Sequence, residues 1–192
     1  MQPAFLIMTP ETNSKRPKSQ RTGSPDDFQT PTEAIGPLLP LLPKGCTVWE
    51  PACGNGNLVR AFIHQGFNCI GTDIKTGHNF IEKNLENSYD CIITNPPFSI
   101  KHEFLKTCNA RRKPFALLLP LSTLESQKRQ KLFNDYGLEI ILLNKRVNFE
   151  TPNQVKNSCS WFATAWFTWG FNLGRQLVFE TIPKNLTQTK LL

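Results

Sequence analysis

Short apolar runs alternate along the chain with amphipathic segments, and this alternation is typical of strands separated by helices. The apolar runs predict five strands, at 46–49, 67–72, 89–94, 114–119 and 138–143. Helical patterns lie between them, at 57–65, 99–111 and 122–136. A strand–helix–strand order favours parallel pairing with helices on both faces of the sheet. The pattern therefore predicts an α/β fold with a mostly parallel, doubly wound sheet.

The last part of the chain departs from this alternation. Two strand-like segments, 160–171 and 176–182, are separated by the turn residues Asn172 and Gly174. Turn residues between two apolar runs indicate a β-hairpin. We therefore predict a C-terminal antiparallel hairpin at one edge of the sheet.

Composition divides the chain into a domain and two tails. Residues 1–25 have no apolar period and are rich in Thr, Ser, Pro and basic residues, which is typical of a disordered basic tail. The basic cluster at 15–18 suits phosphate contact or nuclear import, and it suits a solubilising role equally well. The folded domain is predicted to span 26–183, and residues 184–192 are predicted to form a short C-terminal tail.

The overall composition is typical of a soluble globular protein. Hydrophobic residues make up 39% of the 192 residues, the mean hydropathy is −0.33, and the apolar runs are too short to span a membrane. The six cysteines include no Cys-x-x-Cys pair, so we expect neither a metal site nor a disulfide framework. These features predict an intracellular protein, located in the cytoplasm or, in a eukaryotic host, in the nucleus.

The basic residues are concentrated in the second half of the chain. Residues 1–98 contain 8 basic and 9 acidic side chains, whereas residues 99–192 contain 14 and 6, so the net charges are −1 and +8. An excess of this size favours a polyanionic partner such as nucleic acid. The alternative is a basic surface that contacts only solvent.

Two strand ends carry residues that suit a nucleoside ligand, because ligands of doubly wound sheets bind at the carboxyl ends of the strands. After the first strand, Glu50 precedes a loop in which Gly54 and Gly56 allow a tight turn and a close backbone approach. Asp73 follows the second strand, where an acidic side chain can accept hydrogen bonds from ribose hydroxyls. The loop has neither the third glycine of the dinucleotide fingerprint nor a P-loop lysine, so we expect a nucleoside without phosphates.

The third predicted strand ends in an unusual corner, Asn95-Pro-Pro-Phe98. Two successive prolines cannot continue a strand, and they hold the backbone rigidly. The Asn95 side-chain oxygen and the Pro96 carbonyl can each accept an N–H from one exocyclic amine, while Phe98 offers a face on which a base can stack. Two acceptors in fixed geometry would aim the lone pair of a poor nucleophile, and Pro97 would add to their rigidity.

In order and spacing, the Glu50-Pro-x-x-Gly-x-Gly loop, Asp73 and the Asn95-Pro-Pro-Phe98 corner resemble the motifs of S-adenosyl-L-methionine-dependent N6-adenine DNA methyltransferases. The segment Phe28-Gln-Thr-Pro is similar to the Phe/Tyr-x-Thr-Pro segment of that family. The resemblance covers residues 26–183. It implies a Rossmann-like class I methyltransferase fold, S-adenosyl-L-methionine as cofactor, and the N6 amine of adenine in DNA as methyl acceptor.

The same resemblance implies which residues form the site, and it implies no metal. The implied cofactor-binding residues are Phe28, Thr30, Glu50, Pro51, Gly54, Gly56, Asp73, Asn79 and Phe80. The implied catalytic residues are Asn95, Pro96, Pro97 and Phe98. Asn79 stands where the family often has an aspartate, so its expected contact with the cofactor adenine departs from the family pattern.

Three other functions stay open at this point. The corner also suits RNA methyltransferases that modify rRNA adenine-N6 or guanine-N2, and protein glutamine methyltransferases, although the +8 charge of the second half argues against a protein substrate. The third is a non-catalytic nucleic-acid-binding scaffold, against which the intact motif residues Asn95, Asp73, Gly54 and Gly56 argue. No insertion of domain size interrupts the predicted sheet. We therefore expect weak sequence specificity, or target recognition supplied by a homodimer or by a partner protein.

Overall fold

Seven strands form one sheet in the computed structural model of the chain. The structure describes residues 26, 28–86, 88–150 and 162–186, and the predicted basic tail at 1–25 lies outside them. The strands are β1 (Thr47–Glu50), β2 (Asn68–Gly71), β3 (Cys91–Thr94), β4 (Phe115–Pro120), β5 (Glu139–Leu143), β6 (Thr164–Trp169) and β7 (Leu177–Glu180).

The sheet order is β2-β1-β3-β4-β6-β5-β7. Strands β1 to β4 are paired in parallel, and the register places Val48 opposite both Cys69 and Cys91. Strand β6 is antiparallel to both of its neighbours. The predicted mostly parallel sheet is therefore confirmed, and the first five strands lie where the apolar runs place them, with small shifts at their ends.

The two C-terminal strands do not pair with each other, and the predicted hairpin is wrong in this respect. Strand β6 lies between β4 and β5, where Trp166 is opposite both Leu118 and Ile141. Strand β7 instead pairs in parallel with the outer side of β5. The reason is burial: β6 is buried at its first five positions, which suits an interior strand, whereas β7 is largely exposed and suits an edge.

Helices connect the parallel strands, as the pattern predicts. They are α1 (Asn57–His64), α2 (Lys101–Arg111) and α3 (Gln127–Tyr136), with 3-10 helices at Thr32–Leu41, Ile74–Thr76, Phe98–Ile100 and Leu121–Glu125. Among the described residues, no helix has the length and apolar character that crossing a membrane requires.

The helix after β4 begins later than the sequence predicts. Ser122 and Glu125 form a capping-box pattern, but they lie in the 3-10 helix, and α3 begins at Gln127. The Leu121 N–H donates to the Ala163 carbonyl at 3.0 Å, which continues the contact between β4 and the segment before β6. This tertiary contact delays the α-helix beyond the point that local propensity favours.

The two faces of the sheet are covered by different elements. On one face, the long 3-10 helix and α1 pack on a buried cluster of sheet residues: Val48, Cys91, Ile93, Ala116, Leu118 and Trp166. On the other face, α2 packs on a second buried cluster: Trp49, Ile92, Phe115, Leu117 and Phe167. Successive strand residues alternate between the two clusters, as the period of two requires.

Trp166 anchors the long 3-10 helix to the sheet. Its side chain is fully buried, and Nε1 donates to the Ala34 carbonyl at 3.0 Å. In a 3-10 helix the residue three positions further on donates to each carbonyl, but here that residue is Pro37, which has no N–H. Trp166 therefore supplies a donor that the proline cannot.

We expect Trp166→Phe to destabilise the fold by about 1–3 kcal/mol, because it leaves the Ala34 carbonyl without this donor. Urea unfolding followed by circular dichroism would measure the loss. The control is Phe179→Leu on β7, whose side chain is 75% exposed and whose replacement should change stability by less than about 0.5 kcal/mol. Equal effects of the two substitutions would contradict the anchoring role.

Candidate active site

A cavity of about 310 Å³ lies at the carboxyl ends of β1, β2 and β3. Parallel strands bring the residues that follow them to the same edge, which is where doubly wound folds bind ligands. Ten of the thirteen predicted site residues line it: Phe28, Thr30, Glu50, Pro51, Gly54, Asp73, Asn79, Phe80, Asn95 and Pro97. Gly56, Pro96 and Phe98 are close in sequence to lining residues but are not part of the wall.

Asp73 connects the ends of β1 and β2. One carboxylate oxygen accepts from the Gly54 N–H at 2.9 Å, and the other accepts from the Lys75 N–H at 2.8 Å. Gly54 and Gly56 have φ angles of 50° and 78°, in the left-handed region that glycine tolerates. Asp73 is 8% exposed, and it lines the cavity while it holds the glycine loop in place.

The segment at 28–30 crosses the glycine loop. The sequence predicted its two end residues, Phe28 and Thr30, as site residues, but not the residue between them. Gln29, between them, accepts the Asn55 N–H at 3.0 Å through Oε1. A Cβ at Gly54 would lie 2.8 Å from Gln29 Nε2, so any other residue would displace the end of the Gln29 side chain, and the φ of 50° at Gly54 disfavours other residues in any case. The backbone of Gln29 also exchanges two hydrogen bonds with Glu150, at 3.0 and 2.9 Å. No pattern in the sequence indicates this bridge across 121 positions.

Glu50 is a buried carboxyl group with a perturbed pKa. It is 1% exposed, and Oε1 accepts the Ala52 N–H at 3.2 Å. Burial raises the pKa of Glu50 to about 8, and the charge of Asp73 adds to the rise, while hydrogen bonding from Thr94 and Ala52 opposes it. The group can therefore change its ionisation near neutral pH when a charged ligand binds beside it.

Asn95 faces the cavity with an unused acceptor. Its Nδ2 donates to the Phe28 carbonyl at 3.4 Å, whereas Oδ1 is shielded from solvent and has no hydrogen-bond partner among the described residues. The preceding strand β3 is buried at all four positions, and Pro96 is buried as well. The backbone that carries Asn95 is thus held by the core on one side and by two prolines on the other.

Phe98 lies behind the cavity wall in a group of aromatic rings. Its ring is nearly perpendicular to those of Phe149 and Phe162, with centroid distances of 6.3 and 5.6 Å. Phe149 in turn stacks on Phe28 at 6.0 Å. The predicted stacking of a base on Phe98 stays a prediction, and the structure adds that this ring already packs against two others.

Phe80 and Asn79 occupy the cavity wall on the β2 side. Phe80 is 2% exposed, stacks on Phe104 at 4.7 Å, and lies under the Arg111 guanidinium at 4.0 Å. Asn79 Oδ1 accepts the Ile81 N–H at 3.1 Å, so part of this side chain stabilises the local turn. Asn79 Nδ2 is the polar group of this side chain that is left for the predicted contact with adenine.

Several lining residues were not predicted from the sequence. Asp26 accepts from the Ser99 hydroxyl at 2.6 Å and from the Ser99 N–H at 3.2 Å, which fastens the start of the domain to the end of the Asn-Pro-Pro-Phe corner. His78 lines the cavity and packs edge-on against Trp49 at 5.7 Å. The described residues contain no group of three or more side chains that could hold a metal ion.

Several solved structures resemble the chain to different degrees. A protein from Listeria monocytogenes described as a class I S-adenosylmethionine-dependent methyltransferase has a TM-score of 0.61 and 12% identity, covering 85% of this chain and 68% of that one. A protein from Vibrio vulnificus described as a modification subunit of a type I restriction enzyme has a TM-score of 0.49 and 16% identity, covering 78% and 45%. One from Pyrococcus horikoshii described as an RNA methyltransferase has a TM-score of 0.45 and 14% identity, covering 71% and 78%.

The similarity to the first of these structures defines the fold class. The chain has the Rossmann-like fold of class I S-adenosylmethionine-dependent methyltransferases, as predicted. No protein-family model matches the sequence, and no curated protein matches it either. Because the identity is low, the reaction and its substrate have to be argued from the site itself.

We expect Glu50→Gln to remove a pH dependence of stability. Folding raises the pKa of Glu50 from 4.5 to about 8, so the folded protein keeps a proton that the unfolded chain releases. This stabilisation is complete below pH 4.5 and is lost as the pH rises to about 8. In this window the group lowers the free energy of unfolding by up to about 1.4 kcal/mol per pH unit. Urea unfolding of both proteins across the window would test this, and identical slopes would contradict it.

Proposed function

We propose that the protein is an S-adenosyl-L-methionine-dependent methyltransferase that methylates the exocyclic N6 amine of adenine in DNA. The observation that carries the proposal is the Asn95 side-chain oxygen: it is buried at the cavity wall and has no hydrogen-bond partner among the described residues, while the amide nitrogen donates to the Phe28 carbonyl. An unused buried acceptor is costly unless a ligand supplies the donor. An exocyclic amine has the N–H that this oxygen requires.

The cavity wall contains groups that fit the cofactor. Each Asp73 oxygen accepts one backbone N–H and keeps capacity for a further hydrogen bond, so the carboxylate can also accept from ribose hydroxyls. Phe28 and Thr30 would bind the methionine end, and Glu50 would approach its amino group. The cofactor supplies an electrophilic methyl group on a positively charged sulfur. The positive charge of the cofactor would favour the ionised form of Glu50. This attraction would offset part of the cost of burying the Glu50 carboxylate.

The chain's own contribution to the reaction is the placement of the amine. The amine nitrogen of adenine is a poor nucleophile because its lone pair is delocalised into the ring. Asn95 Oδ1 and the Pro96 carbonyl would accept its two N–H groups and direct the lone pair towards the cofactor side of the cavity. Rigid acceptors lower the barrier because they need no rearrangement during the reaction. No covalent intermediate with the protein is required.

Nucleic acid is the favoured substrate because the second half of the chain is strongly basic. Residues 99–192 carry a net charge of +8, and α2 and α3 hold several of these basic side chains. The Phe28-Gln-Thr-Pro segment favours DNA over RNA through its resemblance to adenine-N6 DNA methyltransferases. A base inside a duplex has to leave the stack before it can enter a cavity of this kind.

For the cofactor, we expect Asp73→Asn to weaken S-adenosyl-L-methionine binding by about tenfold or more, because an amide nitrogen cannot accept hydrogen bonds. Isothermal titration calorimetry would measure the affinity. Asp135→Asn is the matched control, since Asp135 is an exposed aspartate on α3 that pairs with Lys131. Unchanged affinity in Asp73→Asn would contradict the assigned role.

For the substrate, labelled cofactor should be incubated with duplex DNA, single-stranded DNA, total RNA and protein extract, and the digested products identified. We expect labelled N6-methyladenine from DNA. Asn95→Ala should reduce transfer by about 100-fold or more and keep cofactor binding, because the lost acceptor acts on the amine. The control is Asn68→Ala, which changes an exposed asparagine at the opposite edge of the sheet.

The distribution of the label separates the alternatives. Label in RNA alone would overturn the DNA assignment in favour of an RNA methyltransferase, and label in glutamine would favour a protein substrate. Absence of label from all four would favour a non-catalytic scaffold. Equal activity of Asn95→Ala and wild type would contradict the role of Asn95 whatever the substrate.

A further inference from the structure

The cavity wall on the β2 side is formed by a segment without regular structure. Between the 3-10 helix that ends at Thr76 and β3, which begins at Cys91, the described residues form neither a helix nor a strand. Asn79 and Phe80 belong to this segment, and both line the cavity. The segment has no hydrogen-bond ladder of its own, so contacts with other elements have to hold it in place.

Arg111, the last residue of α2, binds this segment at two backbone carbonyls. Its Nη2 donates to the Phe80 carbonyl at 2.5 Å and to the Lys83 carbonyl at 2.6 Å. The guanidinium carbon lies 4.0 Å from the centroid of the Phe80 ring and 4.7 Å from that of Trp49 on β1. One side chain therefore joins α2, β1 and the cavity wall.

The charge of Arg111 is compensated by carbonyls and rings instead of a carboxylate. Arg111 is partly buried, and it forms no ion pair within the part of the chain that the structure describes. Removing a charge from water is costly unless polar groups replace the water. Two carbonyl oxygens and two aromatic faces do so here, and a planar guanidinium can serve both kinds of group at once. An uncharged side chain would fill the same space at lower cost, so the donors of Arg111 are the feature that needs a role.

No other contact replaces the hydrogen bonds from Arg111. Among the described residues, neither the Phe80 carbonyl nor the Lys83 carbonyl has a second donor. The Phe80 ring also stacks on Phe104 at 4.7 Å, but a ring contact does not fix the backbone on either side of it. Without Arg111, the segment would lose the bonds that set its position relative to α2.

We propose that Arg111 is a positioning residue for the cofactor: by binding the Phe80 and Lys83 carbonyls, it fixes the cavity wall that would receive the adenine end of S-adenosyl-L-methionine. This inference rests on the proposed function, and it gives a role to a residue outside every motif of the sequence. The Asn-Pro-Pro-Phe corner lies at the opposite end of α2. Loss of Arg111 should therefore reduce cofactor affinity and leave methyl transfer itself intact.

The test compares two ligands of the full chain by isothermal titration calorimetry: S-adenosylhomocysteine, and methylthioadenosine, which lacks the amino-acid end. We expect Arg111→Met to weaken both by the same factor, about tenfold, because the lost bonds act on the adenine side that the ligands share. The rate of methyl transfer at saturating cofactor should stay within about twofold of wild type, so that the effect falls on KM for the cofactor and not on kcat.

Arg112→Met is the matched control, since it makes the same change at the next residue, which is exposed and whose guanidinium lies over Tyr136 at 5.0 Å. Its affinity for both ligands should equal that of wild type. Hydrogen exchange of the proteins without ligand, followed by mass spectrometry, gives a second readout. In Arg111→Met the amides of residues 77–86 should exchange faster, while those of β1 and α1 keep their protection, which separates a loosened wall from misfolding.

The outcomes distinguish this inference from the proposed function. If wild type binds the cofactor and transfers methyl groups but Arg111→Met has the affinities of Arg112→Met, the positioning role is wrong and the function stands. Weaker binding of S-adenosylhomocysteine alone would place the effect at the methionine end and would also overturn the inference. Faster exchange throughout the sheet would mean that Arg111 stabilises the whole fold and has no specific role at the wall. If wild type binds neither ligand, both proposals fail.

Discussion

The buried carboxylate of Asp73 holds the ends of two strands together, and the cofactor half of the site depends on this contact. One oxygen binds the loop after β1 through Gly54, and the other binds the turn after β2 through Lys75. Separating the two loops would leave a buried carboxylate unpartnered, which is costly. The same loop is crossed by Gln29, so the start of the domain takes its position from it as well.

The catalytic half of the site depends on the burial of β3. A strand that is buried at every position cannot shift its register without exposing apolar side chains, so Asn95 leaves the sheet at a fixed point. Glu50 is the last residue of β1, the strand that pairs with β3, and its side chain is buried. Its pKa is raised because little water reaches this edge of the sheet. A dry edge strengthens the hydrogen bonds that a bound amine would make there.

The sequence was a better guide to the parallel part of the sheet than to its C-terminal part. Apolar runs and glycine-containing loops are local signals, and they located β1 to β5 and the residues that follow them. The predicted hairpin and the Ser122 capping box are also local signals, but tertiary contacts overrode both. β6 was inserted between β4 and β5 because its side chains are buried on both faces, and α3 was delayed by the contact between Leu121 and Ala163.

The sequence alone determined the fold class and the types of group at the strand ends, since both follow from periodicity and from residue chemistry. Ten of the thirteen residues that it indicated line one cavity. Only the tertiary structure decided that Asn95 Oδ1 has no hydrogen-bond partner among the described residues and how strongly Glu50 holds its proton. These properties depend on desolvation and on distances between segments remote in sequence, and no local pattern encodes them.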